Sequence, residues 1–298
     1  MKFFLSEMKY MSENLRGAVL MMICMAAFVL NDAFVRLAGD SLPLAQILFF
    51  RGLLTTIALL LVAFYTGVFK LKVPSQDKWL IFFRSVTEAL TAYFFLTAVM
   101  NMPFANVTAI LQILPMTVTL AAAIVFKEKV GVFRISLIFI GFSGVILIIN
   151  PAKDGFNMYA GYALISVLLI TIRDVLSRKL SFDVPTLIPT VSASLGVLLF
   201  STILIINTAF QPPSLQNSFF IGSAAFFIIF GYYTAILVMR AGEISFISPF
   251  RYSAILFALL IGFIFFEEQP SKTALLGMLC MEYICATYKL GLGTFILF

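Results

Sequence analysis

Long apolar runs dominate the chain, and short polar segments separate them. Most runs are about 20 residues long, the length that a helix needs to cross the hydrocarbon core of a bilayer. Because hydrocarbon offers no partner to an unpaired backbone group, each run is predicted to form a transmembrane helix. The ten runs fall at 15–37, 44–69, 79–100, 104–126, 132–149, 157–176, 187–210, 218–239, 244–266 and 273–288. The pattern predicts an all-α integral membrane protein with ten transmembrane helices.

Composition supports this interpretation and leaves no room for a sizeable soluble domain. Of 298 residues, 62% are hydrophobic and 11% are charged, whereas a soluble domain carries roughly 25% charged residues. The three cysteines, Cys24, Cys280 and Cys285, lie inside apolar runs and have neither a disulfide framework nor a metal-ligand spacing. We therefore expect no metal and no cofactor.

The net charge of +6 sorts by membrane side and does not form a nucleic-acid-binding cluster. With the N-terminus inside, most lysines and arginines near the ends of the runs fall on the cytoplasmic side, and the outer loops hold only Lys153 and Lys272. Cytoplasmic loops of membrane proteins carry an excess of Lys and Arg. Both termini are therefore expected in the cytoplasm.

A turn-rich segment at 150–157, N-P-A-K-D-G-F-N, divides the chain into two halves of five spans each. Five is odd, so the halves insert in opposite orientations, as inverted repeats do. The predicted domains are a cytoplasmic segment at 1–14, a first repeat at 15–150 and a second repeat at 157–298. A shift of 140 positions superposes Leu120, Ile124, Phe126 and Glu128 on Leu260, Ile264, Phe266 and Glu268.

An ordered series of short motifs runs through both halves. They are N-D-A-F-V-R at 31–36, P-L-A-Q-I-L-F-F-R-G at 43–52, the stretch 98–110, S-P-F-R-Y at 248–252, and the F-K-E and F-E-E ends of the fourth and ninth spans. In this series the chain resembles the EamA family of the drug/metabolite transporter superfamily. The resemblance implies two inverted five-helix repeats around a substrate cavity, and it favours a bacterial inner-membrane protein that handles metabolites. The last span, with Glu282 and an apolar tail, departs from the family pattern.

Catalytic and ATP-hydrolysing motifs are missing from the sequence. The G-F-S-G segment at 141–144 has no histidine to serve as a general base, because the chain contains none. No G-x-x-x-x-G-K-[ST] motif is present. We expect no enzyme, and pumping would draw on a gradient or on exchange. Protons or an exchanged solute are the candidate coupling partners, and Asp or Glu would carry the proton.

Charged residues deep inside the runs are the strongest site candidates, because a charge at the bilayer centre costs about 2.5 to 3.5 kcal/mol on insertion scales. Glu88 lies about 14 Å beyond Trp79, near the midplane. Arg84, one turn earlier, shares its face, so the pair either handles substrate or protons or is a structural ion pair. Arg51 and Arg251 enter from opposite sides and favour a carboxylate- or phosphate-bearing substrate, with snorkelling to the interface as the alternative.

Two further charged pairs lie nearer the span ends. Asp32 and Arg36, at i and i+4 near the outer end of the first span, are predicted to form a gate or interface pair. Arg173 and Asp174 lie toward the inner end of the sixth span and are interpreted mainly as a topology anchor.

Polar-tipped groups within the runs complete the predicted substrate pathway, although simple packing is the alternative for each of them. They are Tyr93, Gln112, Tyr233 and Tyr252, with Asn31 and Tyr232 as neighbours of the same kind. Pro115 and Pro249 interrupt the fourth and ninth spans and predict helix kinks that free backbone carbonyls.

The leading hypothesis is a secondary active transporter that moves a small organic metabolite or drug-like compound by alternating access between the repeats. A non-transporting membrane sensor or scaffold is the first alternative, although its expected soluble domain or long loops are missing. An intramembrane enzyme is less well supported, because no catalytic constellation assembles. The expected partners are a small-molecule substrate and the lipid bilayer, without nucleic acid. Substrate identity, direction and oligomeric state stay open.

Overall fold

A computed structural model describes residues 13–70, 73–127, 157–206, 208–240, 247, 250–251 and 253–268. Helices and turns, without strands, make up these residues. Short 3-10 turns lie at Val68–Lys70 and Leu111–Ile113. The α-helices in the described ranges are α1 Glu13–Gly39, α2 Leu44–Tyr65, α3 Ser75–Asn101, α4 Phe104–Ile110, α5 Leu114–Phe126, α6 Met158–Lys179, α7 Leu187–Ile206, α8 Leu215–Arg240 and α9 Ser253–Phe266.

Seven described stretches are long and apolar enough to cross a membrane, and each overlaps one predicted run. They are α1, α2, α3, the span Phe104–Phe126 that contains α4 and α5, and then α6, α7 and α8. Helix α9 is apolar but shorter, with 14 residues. The all-helical, multi-pass membrane class is therefore confirmed. The runs expected at 132–149 and 273–288, with Glu282, lie outside the described residues.

Helix starts follow local sequence signals. Pro43, Pro74 and Pro103 each occupy the position directly before a helix, in an extended conformation. Proline has no N–H to donate to a preceding turn, and it fixes φ near the helical value. Helix α6 begins instead after Asn157, whose side-chain oxygen accepts the backbone N–H of Tyr159 at 2.9 Å. Proline or an asparagine cap therefore marks the start of each of these four helices.

The exterior is largely apolar, and the mainly apolar interior also contains buried polar and charged residues. Large apolar side chains cover the exterior, such as Leu199 and Phe263, each 65% exposed. The interior holds Arg51 and Arg84, each 3% exposed, and Gln112, 2% exposed. Lipid solvates the apolar exterior, whereas buried polar groups need partners inside the bundle. The functional chemistry is therefore expected inside the protein.

The principal helix contacts join the first half of the chain to the second half. Helix α1 packs along α8, and α3 packs along α6. Helix α2 packs against α7, and α9 against both α1 and α4. Helix α5 packs against α6, and α7 also lies on α3. The space between the two halves is consequently the centre of the molecule.

Small residues allow these helices to approach closely. A Cβ atom on Gly196 of α7 would lie 2.9 Å from the backbone oxygen of Ser85 on α3. The hydroxyls of Ser85 and Ser192 lie 2.8 Å apart in the same seam. Lipid tails are as apolar as leucine, so helices in membranes associate through such packing and hydrogen bonding. Gly196 is therefore required for the contact between α3 and α7.

We expect Gly196→Ala to lower the thermal midpoint of the purified protein, because the new methyl group meets a backbone atom that cannot rotate away. Overpacking of this kind costs about 1 to 3 kcal/mol. The matched control is Gly222→Ala on α8, where an added Cβ has nothing within 4 Å. That control should be neutral or slightly stabilising, because alanine favours helix over glycine by about 1 kcal/mol. Equal midpoints for the two variants would contradict the close packing.

Candidate functional site

A cavity lies between the two halves, and the space in it that is not filled by protein atoms is about 950 Å³, open solvent included. Its wall is largely apolar, with Met21, Met25, Phe28, Val29, Phe95, Leu96, Ile170 and Ile228. Its polar lining groups are Asn31, Asp32, Arg51, Glu88, Thr91, Thr108, Gln112, Arg173, Tyr232 and Arg251. A mostly apolar concavity with a few placed polar groups is the usual form of a small-molecule site.

The cavity lies near the middle of the long helix α3, which contributes Glu88 to its wall. Glu88 is about 20 Å along α3 from Ser75, close to the middle of the helix. Gln112 lies on the 3-10 turn that interrupts the span Phe104–Phe126. A 3-10 turn inside a membrane span often marks a hinge. The interrupted span therefore brings irregular backbone to the cavity wall, where membrane proteins tolerate it.

A buried cluster of three guanidiniums and two carboxylates forms one end of the site. Arg173 Nη1 lies 3.3 Å from Glu88 Oε2. Arg173 also donates from Nε and Nη2 to Asp174 Oδ1, at 3.0 and 2.9 Å. Arg251 Nη2 donates to Asp174 Oδ2 at 2.9 Å, and Arg84 Nη2 lies 4.0 Å from Glu88 Oε2. Both oxygens of Asp174 are thus occupied by arginines.

Arg84 holds helices together and does not line the cavity. Its Nε donates to Ser177 Oγ at 2.9 Å, and its Nη1 donates to the Pro189 carbonyl at 3.1 Å. These bonds connect α3 to α6 and α7. The expected Arg84 and Glu88 pair is therefore the edge of a larger cluster, in which Arg173 is the nearer partner of Glu88.

A second polar group in the wall is the triplet Arg51, Asn31 and Asp32. Arg51 Nη1 donates to Asn31 Oδ1 at 2.8 Å, and Asn31 Nδ2 donates to Asp32 Oδ1 at 2.8 Å. Among the described residues, Arg51 has no carboxylate within 4.0 Å, and Asp32 Oδ2 accepts no hydrogen bond. Asn31 therefore separates two opposite charges that both face the cavity.

Arg36 closes one end of the bundle. Its Nη2 lies 2.7 Å from Glu268 Oε1, and its guanidinium stacks 4.4 Å from the centre of the Phe266 ring. The other oxygen of Glu268 accepts the backbone N–H of Phe104 at 2.7 Å, at the start of α4. Asp32 takes no part in this contact, so the expected pair of Asp32 with Arg36 is not formed.

A related contact lies at the opposite end of the bundle. Arg178, near the end of α6, stacks 4.6 Å from the centre of the Phe126 ring, at the end of α5. The span Phe104–Phe126 places its two ends about 33 Å apart. Arg36 near the end of α1 is connected through Glu268 to the start of this span, and Arg178 near the end of α6 contacts its last residue. Helices α1 and α6 therefore run in opposite directions.

The predicted polar residues divide into those that line the cavity and those that do not. Gln112 lies in the wall. Tyr93 packs edge-on against Phe200, and Tyr233 is 39% exposed on the exterior; neither lines the cavity. Pro115 is the second residue of α5, directly after the 3-10 turn. Tyr252 and Pro249 lie outside the described residues.

Arg173 and Asp174 are the site residues that sequence reasoning underrated, since it interpreted them as a topology anchor. A signal was present in the sequence. The motif N-D-A-F-V-R at 31–36 is matched by R-D-V-L-S-R at 173–178, so both α1 and α6 carry D-x-x-x-R. Asp32 lines the cavity, Asp174 binds the cavity-lining Arg173 and Arg251, and the last arginines of the two motifs stack on Phe266 and Phe126.

These features define a multi-pass helical membrane protein with a charged internal cavity, and comparison with known proteins gives its family. The EamA-like transporter family model matches residues 15–150. Over these residues the chain matches that family, and the match confirms the resemblance seen in its motifs.

Relatives with named functions extend over both halves. The S-adenosylmethionine uptake transporter of Rickettsia prowazekii is 21% identical over 269 residues, which cover 88% of each chain. The pseudopaline exporter CntI of Pseudomonas aeruginosa is 21% identical over 275 residues, 90% of this chain and 94% of its own. A solved crystal structure matches 91% of this chain and 96% of its own with a TM-score of 0.69, at 16% identity. The last match supports the fold alone.

The two aspartates of the repeated motif should differ in their effect on stability. Asp174→Asn removes a carboxylate that two buried guanidiniums share, and breaking a buried ion pair costs about 3 to 5 kcal/mol. Asp32→Asn removes the partner of a neutral amide, so the loss should be about 1 kcal/mol. Thermal unfolding in detergent measures both variants. Equal destabilisation would show that the Asp174 cluster does not hold the bundle together.

Proposed function

We propose that this protein is a secondary active transporter, not an enzyme, that moves a small organic metabolite or drug-like compound across a bacterial inner membrane. The cavity carries this proposal: it lies near the middle of α3, between the two halves, and combines apolar walls with both signs of charge. A cavity of this kind inside a lipid-facing bundle suits a solute that has to pass between the two sides of the membrane. The transporter names of the relatives agree with it.

The proposed architecture has ten helices in two inverted five-helix repeats, at 15–150 and 157–298, after a cytoplasmic segment at 1–14. The helix contacts support it. In the proposed repeat, each of the first four spans corresponds to the span five places later in the chain. The contact between α1 and α8 then corresponds to the contact between α6 and α3, and both are present. The opposite directions of α1 and α6 are those that inverted repeats require.

The two arginine stacks are the proposed gates. Arg36 of the first half contacts Phe266 and Glu268 of the second half, and Arg178 of the second half contacts Phe126 of the first half. Each gate thus joins the halves at one end of the cavity. Rocking of the halves would open one gate while the other stays closed, which is alternating access.

Topology and coupling complete the proposal. Both termini lie in the cytoplasm, which places the Arg36 gate outside and the Arg178 gate inside. Glu88 and Asp32 are the carboxylates in the cavity wall, so they are the proposed proton carriers if transport is coupled to protons. Exchange of a second solute is the other coupling mode. One relative is named for uptake and the other for export, so direction stays open.

Transport is tested by counterflow in liposomes that contain the purified protein. The panel comprises amino acids, nucleosides, organic acids, organic amines and vitamins, with and without a pH gradient. We expect at least one solute to exchange, and Arg251→Ala to reduce its exchange, because Asp174 then loses one of its arginine partners. Lys179→Ala, an exposed charge at the end of α6, is the matched control. No exchange of any solute under any condition would contradict the proposed function.

The gates are tested with Cys24, which lies buried in the cavity wall. Cys280→Ser and Cys285→Ser leave it as the single thiol. In right-side-out vesicles, we expect Arg36→Gln to accelerate labelling of Cys24 by a membrane-impermeant thiol reagent, by about tenfold if the lost contacts are worth about 1.4 kcal/mol. Removing the Arg36 contacts weakens the outer closure.

Arg178→Gln is the control for this measurement, because it weakens the contact at the opposite end. Arg178→Gln should not accelerate labelling of Cys24 in right-side-out vesicles. It should accelerate this labelling in inside-out vesicles. Equal acceleration by both variants from one side would contradict the assignment of the two gates.

A further inference from the structure

We infer that the cavity binds a small zwitterion, with the substrate's carboxylate at Arg51 and its ammonium group at Asp32. The inference rests on the proposed transport function and names the chemistry of the substrate at the same cavity. The wall carries both signs of charge, with Asp32 and Glu88 against Arg51, Arg173 and Arg251. A purely anionic or purely cationic molecule would match one sign and meet repulsion from the other.

Asp32 and Asp174, the aspartates of the repeated motif, differ in whether a carboxylate oxygen is left to accept a hydrogen bond from a ligand. Asp174 has both oxygens engaged, Oδ1 by Arg173 and Oδ2 by Arg251. Asp32, at the corresponding position of the D-x-x-x-R motif, receives one hydrogen bond from Asn31. Its Oδ2 has no partner among the described residues. Asp32 is therefore the carboxylate with a free acceptor for a cationic group.

Asn31 sets the spacing between the guanidinium of Arg51 and the carboxylate of Asp32. Its amide oxygen accepts from Arg51 and its amide nitrogen donates to Asp32, each at 2.8 Å. The guanidinium and the carboxylate are consequently held one amide group apart. The ammonium and carboxylate of an amino-acid head group are a few bonds apart, so one molecule can reach both. Charge-assisted hydrogen bonds of this kind are the strong ones in a buried site.

Unpartnered polar atoms in the same wall point to a ligand independently of these charges. Gln112 Oε1 and Thr91 Oγ1 are buried and have no hydrogen-bond partner. Gln112 is 2% exposed, and its amide nitrogen donates to the Thr108 carbonyl, which leaves the oxygen as an acceptor. A buried acceptor without a partner costs free energy until a donor arrives. An N–H donor on the substrate would provide that partner.

The rest of the wall selects the body of the molecule. Met21, Met25 and Phe28 from α1 line the cavity together with Phe95 and Leu96 from α3. These side chains offer apolar and polarisable surface without charge. A zwitterionic head group attached to an apolar or aromatic body therefore fits the cavity better than a sugar or a polyanion.

The experiment uses three ligands that share one body: L-phenylalanine, its methyl ester and its N-acetyl derivative. The ester lacks the carboxylate, and the N-acetyl compound lacks the ammonium. Binding to the purified full-length protein is measured by thermal shift over a range of ligand concentrations, and L-methionine is added as a second zwitterion. We expect the zwitterions to bind about tenfold or more tightly than either blocked compound, because each blocked compound leaves one buried charge without its partner.

Variants of Asp32 and Arg51 test which residue binds the ammonium group and which binds the carboxylate of the ligand. Asp32→Asn should abolish the preference for L-phenylalanine over its N-acetyl derivative and keep the preference over the methyl ester. Arg51→Gln should do the reverse. Asp183→Asn and Lys179→Gln alter exposed charges outside the cavity and should preserve both preferences. The wild-type comparison stands by itself if a cavity variant fails to fold.

The outcomes separate the inference from the proposed function. Equal binding of zwitterion and blocked compounds by the wild type, or unchanged preferences in both cavity variants, overturns the inference. Exchange of other solutes in liposomes without any binding of zwitterions overturns it too, and leaves the transport function standing. Failure of every solute class to exchange removes the transport function on which the inference rests.

Discussion

The arginine and carboxylate cluster around Asp174 is the interaction on which the rest of the structure depends. A guanidinium surrounded by lipid-facing helices has no bulk water to solvate it, so it needs a carboxylate or other hydrogen-bond acceptors beside it. Asp174 satisfies Arg173 and Arg251 at once, and Glu88 takes the free side of Arg173. Helices α3 and α6 and residue 251 are thereby fixed relative to one another. The cavity is the space left between elements that this cluster holds in place.

Lipid also changes how the remaining helices hold together. The exterior gains nothing by burying leucine or phenylalanine, so association relies on close approach and on polar contacts. The seam between α3 and α7 shows both, with Gly196 against the Ser85 backbone and a hydroxyl pair beside it. Because the principal contacts join the two halves, a relative movement of the halves changes the cavity and both of its ends together. Such a movement is what alternating access needs.

Sequence reasoning predicted the spans well, because their signal is local: apolar length, flanking proline and absence of charge. It predicted the charged partners less well, because those are set by tertiary packing. The i, i+4 rule paired Asp32 with Arg36, whereas the partner of Arg36 is Glu268, in the other half of the chain. Distance from the helix end made Arg173 look like an anchor, whereas packing of α6 on α3 brings it to Glu88. Depth alone did select Glu88, Arg51 and Arg251, since a charge that cannot reach the surface must face the interior.

The two halves differ at one position of the repeated motif, where α1 has Asn31 and α6 has Arg173. This difference explains how two similar halves can form a site with a separate positive group and negative group. If Arg173 had an arginine as its counterpart in α1, Asp32 would be neutralised by its own neighbour, as Asp174 is. The chain has Asn31 there instead, and the amide is long enough to connect to Arg51 but carries no charge to neutralise Asp32. Asp174 consequently holds the helices together, whereas Asp32 lines the cavity with one oxygen that has no partner among the described residues. In the duplication that we propose, the two aspartates occupy equivalent positions, and their surroundings differ: Asp174 contacts Arg173 and Arg251, whereas Asp32 contacts Asn31. This difference is what would commit Asp174 to structure and leave Asp32 for a ligand.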